Sequence, residues 1–130
     1  MKDIKEVEDI ELMVNQFYGK VREDELLAPI FATRVEEGAW EKHLERMVSF
    51  WGTILLFQGD YRGNAFPKHV GLNIGAAHFD RWLLLFQNTV DEHFFGKKAE
   101  EAKERAEKMA KMFNSKLEYL ADRPNLKPLM

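Results

Sequence analysis

Four histidines, His43, His69, His78 and His93, are the side chains best suited to hold a metal or move a proton. No two fall into H-x-x-x-H or H-x-H spacing, so the pattern sets no pair of imidazoles for zinc. Cysteine is absent. That removes disulfides, thiolate metal sites, iron–sulfur clusters, thiol nucleophiles and covalent C-x-x-C-H haem attachment. Serine occurs only as Ser49 and Ser115, and neither sits in a G-x-S-x-G elbow. Gly71 and Gly75 do not make a G-x-G-x-x-G phosphate loop. Nucleophilic hydrolysis and nucleotide binding therefore lack their parts.

His69 lies on a short segment just before Gly71-Leu72-Asn73-Ile74-Gly75, which is too glycine-rich for a helix interior. A lone histidine is most often a surface or satisfied polar residue. On a short, weakly helical segment facing a cavity between helices, it also meets the needs of an axial haem ligand. His43 stands four residues before Met47, so the two share a helical face. It reads as a boundary histidine or as a polar group aimed at a pocket. Tyr18 and Trp82 read as core residues whose O–H and N–H must find acceptors if buried. Phe31, two residues after Pro29, reads as core.

These residues need elements to position them. Ile10, Val14, Phe17, Tyr18 and Val21 follow one helical face, with Asp9 as a plausible N-cap. Pro29-Ile30-Phe31 reads as a tight turn or 3₁₀ connector. A second helix starts near Gly38 and runs through Trp51 towards Phe57. It carries Trp40, His43, Met47, Phe50, Trp51 and Ile54 on a broad face. A third covers about residues 76–95 and is apolar almost all round at Trp82-Leu83-Leu84-Leu85-Phe86, which predicts deep burial. Gly96 is a stop signal. The last helix, about residues 97–121, has Ala99, Ala102, Ala106, Met109, Phe113 and Leu117 near one face. Glu101/Arg105, Glu104/Lys108 and Glu107/Lys111 are favourable i,i+4 pairs. No strand is predicted. Residues 1–8 and 122–130 read as loose ends.

The chain of 130 residues suits one all-α domain spanning residues 1–130. Its aromatic share, 12% with ten Phe, three Trp and three Tyr, can build a core or wall a large flat ligand. A net charge of −3 argues against a dedicated nucleic-acid binder. No apolar run approaches the ~20 residues that span a bilayer. The polar start Met1-Lys2-Asp3-Ile4-Lys5-Glu6 is unlike a signal peptide. These features place the chain in the cytoplasm with no membrane partner.

Several pieces taken together resemble a known family. They are Phe17-Tyr18-Gly19-Lys20-Val21-Arg22, Pro29-Ile30-Phe31, Trp40-Glu41-Lys42-His43 and Ser49-Phe50-Trp51. With them go Gly59-Asp60-Tyr61-Arg62-Gly63, Lys68-His69 and Phe79-Asp80-Arg81-Trp82-Leu83-Leu84-Leu85-Phe86. Their order and spacing, over about residues 10 to 120, are similar to the truncated haemoglobins, and most of all to group III. Gly71 to Gly75 stands where that group carries prolines.

The resemblance implies a globin-like, two-over-two helical sandwich around non-covalent haem b. It matches His69 to the proximal iron ligand and Phe31 to the phenylalanine on the haem face. Tyr18, His43 and Trp82 match the distal polar positions, and Met47 the apolar distal position one turn after His43. Phe50 and Trp51 match aromatic positions at the haem. Arg62 and Lys68 are candidates for the haem propionates on charge alone. Dioxygen, nitric oxide and carbon monoxide are the implied ligands, with an unidentified reductase as electron donor. Donors converging on the ligand suit retention or redox chemistry, such as nitric oxide dioxygenation or peroxide activation, over bulk oxygen transport.

Two other classes compete. A haem-free globin-like sensor or interaction domain would keep the helices without needing His69 or the polar pocket residues. A metal-dependent hydrolase would need a ligand cluster that the sequence does not supply. The alternating charges on the last helix favour a solvated face and a monomer.

Overall fold

The computed structural model describes residues 1–58 and 74–121. Among these residues five α-helices follow in order: α1 (Val7–Glu23), α2 (Ala28–Arg34), α3 (Trp40–Leu56), α4 (Ala76–His93) and α5 (Lys97–Ala121). A 3₁₀ turn, Glu37–Ala39, leads into α3. No strand occurs among the described residues; Lys2 and Phe94 form an isolated parallel bridge. Helix α1 packs on α3 and α4 on α5, and contacts of α1 with α4 and α3 with α5 join the two layers.

Helix α1 buries Ile10, Met13, Val14, Phe17, Tyr18 and Val21, the face that the spacing predicts. It begins two residues before the expected N-cap. Glu6 is the N-cap, and Asp9 lies inside the first turn. There Asp9 Oδ2 accepts the backbone N–H groups of Lys5 and Glu6 at 2.9 and 3.0 Å. Burial opposes ionisation of Asp9. Those N–H donors and the Lys2 ammonium outweigh it and hold the carboxyl below its ordinary value.

Residues 1–8 are not loose. Ile4 is 1% exposed, and Lys2 O accepts the Phe95 N–H at 3.0 Å. The Asp3 carboxylate accepts the N–H groups of Lys98 and Ala99, each at 2.9 Å. Those are orphan donors of the first turn of α5, and an anion there also meets the positive end of the helix dipole. Gly96 makes the approach possible. Its φ is +144°, and a Cβ on it would stand 2.5 Å from the Asp3 side chain.

Pro29 sits in the first turn of α2, which is a seven-residue α-helix and not the tight turn expected. Asp24 Oδ2 accepts the Leu26 and Leu27 N–H groups ahead of it. Asp24 Oδ1 pairs with Arg81 at 2.7 Å, tying this corner to α4. Helix α3 ends on Phe57 in the left-handed conformation, with the Gln58 N–H closing back on Gly52 O.

Helix α4 is shorter than expected, and it is not buried all round. Phe86, Thr89 and Val90 are buried, whereas Leu84 is 51% exposed. In a two-layer sandwich every helix keeps one outward face, whatever its composition. Helix α5 buries a stripe of Ala99, Ala102, Ala106 and Ala110. Small side chains there let α4 and α5 approach closely. Glu101–Arg105 and Glu107–Lys111 form two of the three i,i+4 pairs expected. No helix among the described residues is long and apolar enough to cross a membrane.

Candidate functional site

A cavity of about 430 Å³ lies between the layers. That is within the usual range for a small-molecule or cofactor pocket. Tyr18 reaches it from α1, Phe31 from α2, Trp82 from α4, and His43, Met47, Phe50 and Trp51 from α3. The structure thus brings seven of the ten sequence-derived site residues to one space. The other three, Arg62, Lys68 and His69, lie outside the described residues.

Sequence spacing explains the convergence on α3. His43, Met47 and Phe50 are related by i, i+4 and i+7, and so share a face. Phe17 anchors the other side from within the core. Its ring meets Tyr18, Trp82 and Phe86 edge-on at 4.8, 5.5 and 5.2 Å. Trp82 stacks on Phe86, and Phe86 stacks on Trp51. The polar tips of Tyr18 and Trp82 are therefore carried on rings whose bodies are wedged in the core.

Tyr18 is 6% exposed, and burial pushes its phenol well above its ordinary pKa. It stays protonated and can donate. The His43 ring lies edge-on to it, 5.0 Å between centroids, with Nε2 buried. Two hydrogen-bonding groups thus meet at one wall, with the Trp82 indole on the same cavity.

Several lining residues lie beyond that set. Met109, Ala110 and Phe113 bring α5 to the cavity, and Ile30, Phe79 and His78 add to the wall. Arg34 and Arg46 line it too, yet both are solvent-exposed, which puts them at its mouth. Every charged side chain among the described lining residues is an arginine. Arg46 stands three residues after His43, and Arg34 three after Phe31. His78 Nδ1 accepts the Gly75 N–H at 3.1 Å, which leaves the ring proton on Nε2.

The arrangement suits a flat apolar molecule with anionic edges that faces the polar groups of Tyr18, His43 and Trp82. No group of three or more His, Cys, Asp or Glu that could hold a metal ion occurs among the described residues.

An all-α sandwich of two helix pairs with a polar-tipped aromatic cavity is a globin architecture. Comparison with known proteins agrees. Residues 3–117 match the family described as bacterial-like globin. Over 87 residues the chain is 36% identical to Group 3 truncated hemoglobin ctb of Campylobacter jejuni, covering 65% of this chain and 68% of that protein. It is also 36% identical over 72 residues to Group 1 truncated hemoglobin GlbN of a Nostoc species, covering 55% and 58% of the two chains. The crystal structure of group III truncated hemoglobin from Campylobacter jejuni superposes with a TM-score of 0.81 at 30% identity, over 90% of this chain and 95% of that one. The chain belongs to the bacterial-like globins, as a group III truncated haemoglobin.

Proposed function

We propose that the cavity holds haem b non-covalently and presents a diatomic ligand, dioxygen or nitric oxide, to Tyr18, His43 and Trp82. The observation that carries this reading is the convergence of these three polar side chains on one aromatic-walled cavity. The residues present fit the group. Phe31, Met47, Phe50 and Trp51 supply apolar walls for the macrocycle, and Arg34 and Arg46 supply cations for its two carboxylates. His69 is the proposed proximal ligand, on the family resemblance of Lys68-His69.

Haem iron, when bound, supplies reversible ligation of diatomic molecules and one-electron chemistry. The chain supplies the surroundings. The Tyr18 hydroxyl and the Trp82 indole N–H donate to a ligand carrying partial negative charge. Each such bond adds roughly 1.5 kcal/mol. Two together slow ligand escape about a hundredfold, since ~1.4 kcal/mol is a factor of ten. A pocket that retains its ligand so well suits redox chemistry, such as nitric oxide dioxygenation or peroxide activation, and not bulk transport.

Absorption spectra of the ferric, ferrous and carbon-monoxide-bound forms test the reading. A Soret band that shifts with carbon monoxide is expected, and His69→Ala should abolish or greatly weaken haem binding. A purified protein that takes up no haem would support the sensor or interaction domain instead. Unchanged axial ligation in His69→Ala would remove that residue from the iron.

A further inference from the structure

His43 is enclosed by three rings. Tyr18 lies edge-on at 5.0 Å, Trp40 edge-on at 5.6 Å and Phe31 at 6.3 Å. Tyr18, Phe31 and His43 line the cavity, whereas Trp40 stands behind them. Trp40 nevertheless touches all three, stacking on Phe31 at 6.1 Å and meeting Tyr18 at 6.1 Å. The indole is itself pinned from α1, because the Arg22 guanidinium lies over its ring, 4.5 Å from the centroid. Arg22 is one turn beyond Tyr18 on α1, and Trp40 is three residues before His43 on α3. One cation–π contact therefore bridges the two helices that carry the polar wall.

We propose that Arg22 and Trp40 are positioning residues that latch the His43 imidazole shut across the cavity. For the ring to swing outward, Trp40 must move, and Trp40 moves only by leaving the Arg22 guanidinium. The latch sets how often the cavity opens to small molecules and leaves Tyr18 and Trp82 in place. This inference rests on the haem reading for its kinetic consequence, but the ring packing itself does not.

Two readouts test it. Carbon monoxide association after flash photolysis depends little on hydrogen-bond donors and reports opening. Arg22→Leu should speed it about two- to fivefold, the factor that an exposed cation–π contact is worth. Arg22→Lys should restore the wild-type rate, and Arg22→Leu should add nothing in a His43→Ala background. The second readout is the His43 ring-proton chemical shift, measured in the carbon monoxide complex or, should no haem be taken up, in the protein as purified. The three edge-on rings shift it by ring current, and Arg22→Leu should relax that shift towards the free-histidine value. An unmoved His43 resonance overturns the latch with or without haem. An equal acceleration in the His43→Ala background also overturns it. Absence of a haem spectrum in the wild type counts against the haem reading, and the resonance still decides the latch.

Discussion

Trp82 lies parallel to Phe86, 5.7 Å between centroids and 8° between ring planes. Phe86 is 1% exposed and stacks in turn on Trp51 at 4.9 Å. In a close-packed interior such a stack cannot turn without opening a void. The direction of the Trp82 N–H is therefore set by the core, before any ligand arrives.

Pre-set donors give a graded expectation for dioxygen release. Tyr18→Phe and Trp82→Phe should each speed dissociation roughly tenfold, and the pair about a hundredfold. Stopped-flow displacement by carbon monoxide measures it. If both single variants release dioxygen at the wild-type rate, neither residue is a donor.

The two arginines at the cavity mouth should separate haem from its esterified form. Arg34→Leu and Arg46→Leu remove exposed pairing partners, each worth up to about 1 kcal/mol, or about fivefold in affinity. Titration of the apoprotein should show that loss for haem b and none for haem dimethyl ester. An equal loss for both ligands would mean that the arginines act through packing. Arg62 and Lys68 are proposed as further partners of the same carboxylates, and the same comparison applies to them.

Asp3→Ala should lower stability by about 1 kcal/mol, the usual cost of a lost helix cap. In a chain of this size that is roughly 3–5 °C in thermal midpoint. Burial opposes ionisation of Asp3, but the N–H donors of Lys98, Ala99 and Ile4 hold its carboxyl below the ordinary value. Its contribution is then present above the unfolded pKa near 4 and is lost as pH falls through the depressed folded value. Thermal scans from pH 6 to pH 3 should show wild type converging on Asp3→Ala. Parallel curves over that range would remove the carboxylate from the cap.

Tyr18 has the opposite sign. Burial raises its folded pKa, so the folded state holds a proton that the unfolded chain gives up near pH 10. Stability from this group is full below pH 10 and is lost as pH rises towards the folded value. Denaturant midpoints of wild type should fall faster than those of Tyr18→Phe between pH 9.5 and 11. Identical slopes would show that the phenol ionises freely in the folded protein.

Periodicity made α1, α3 and α5 legible, because each presents an apolar stripe long enough to register against its charged face. Ile4 could not register. One apolar residue among Lys2, Asp3, Lys5 and Glu6 has no period, and its partners lie on distant helices. Asp9 was misplaced because an acid within the first turn and an N-cap acid look alike in sequence. Leu84 was misjudged because composition cannot say which side of an apolar helix faces water. At the site, Tyr18, Phe31, His43, Met47, Phe50, Trp51 and Trp82 were legible through their family pattern. Arg34 and Arg46 were not, since an arginine at a cavity mouth and one on a solvated face have the same composition and differ only in what stands opposite.

The Asp3 cap also sets an order of assembly. Its partners are Lys98 and Ala99, 95 and 96 residues further on, so Asp3 must wait for them before it can settle. During synthesis the Asp3 carboxylate stays without its helix partner until the α4–α5 corner emerges. The contact closes a loop of 95 residues, and such long-range contacts close late and slowly. The strap that fastens α5, and with it the Met109 and Phe113 wall of the cavity, is thus laid down well before the helix it holds.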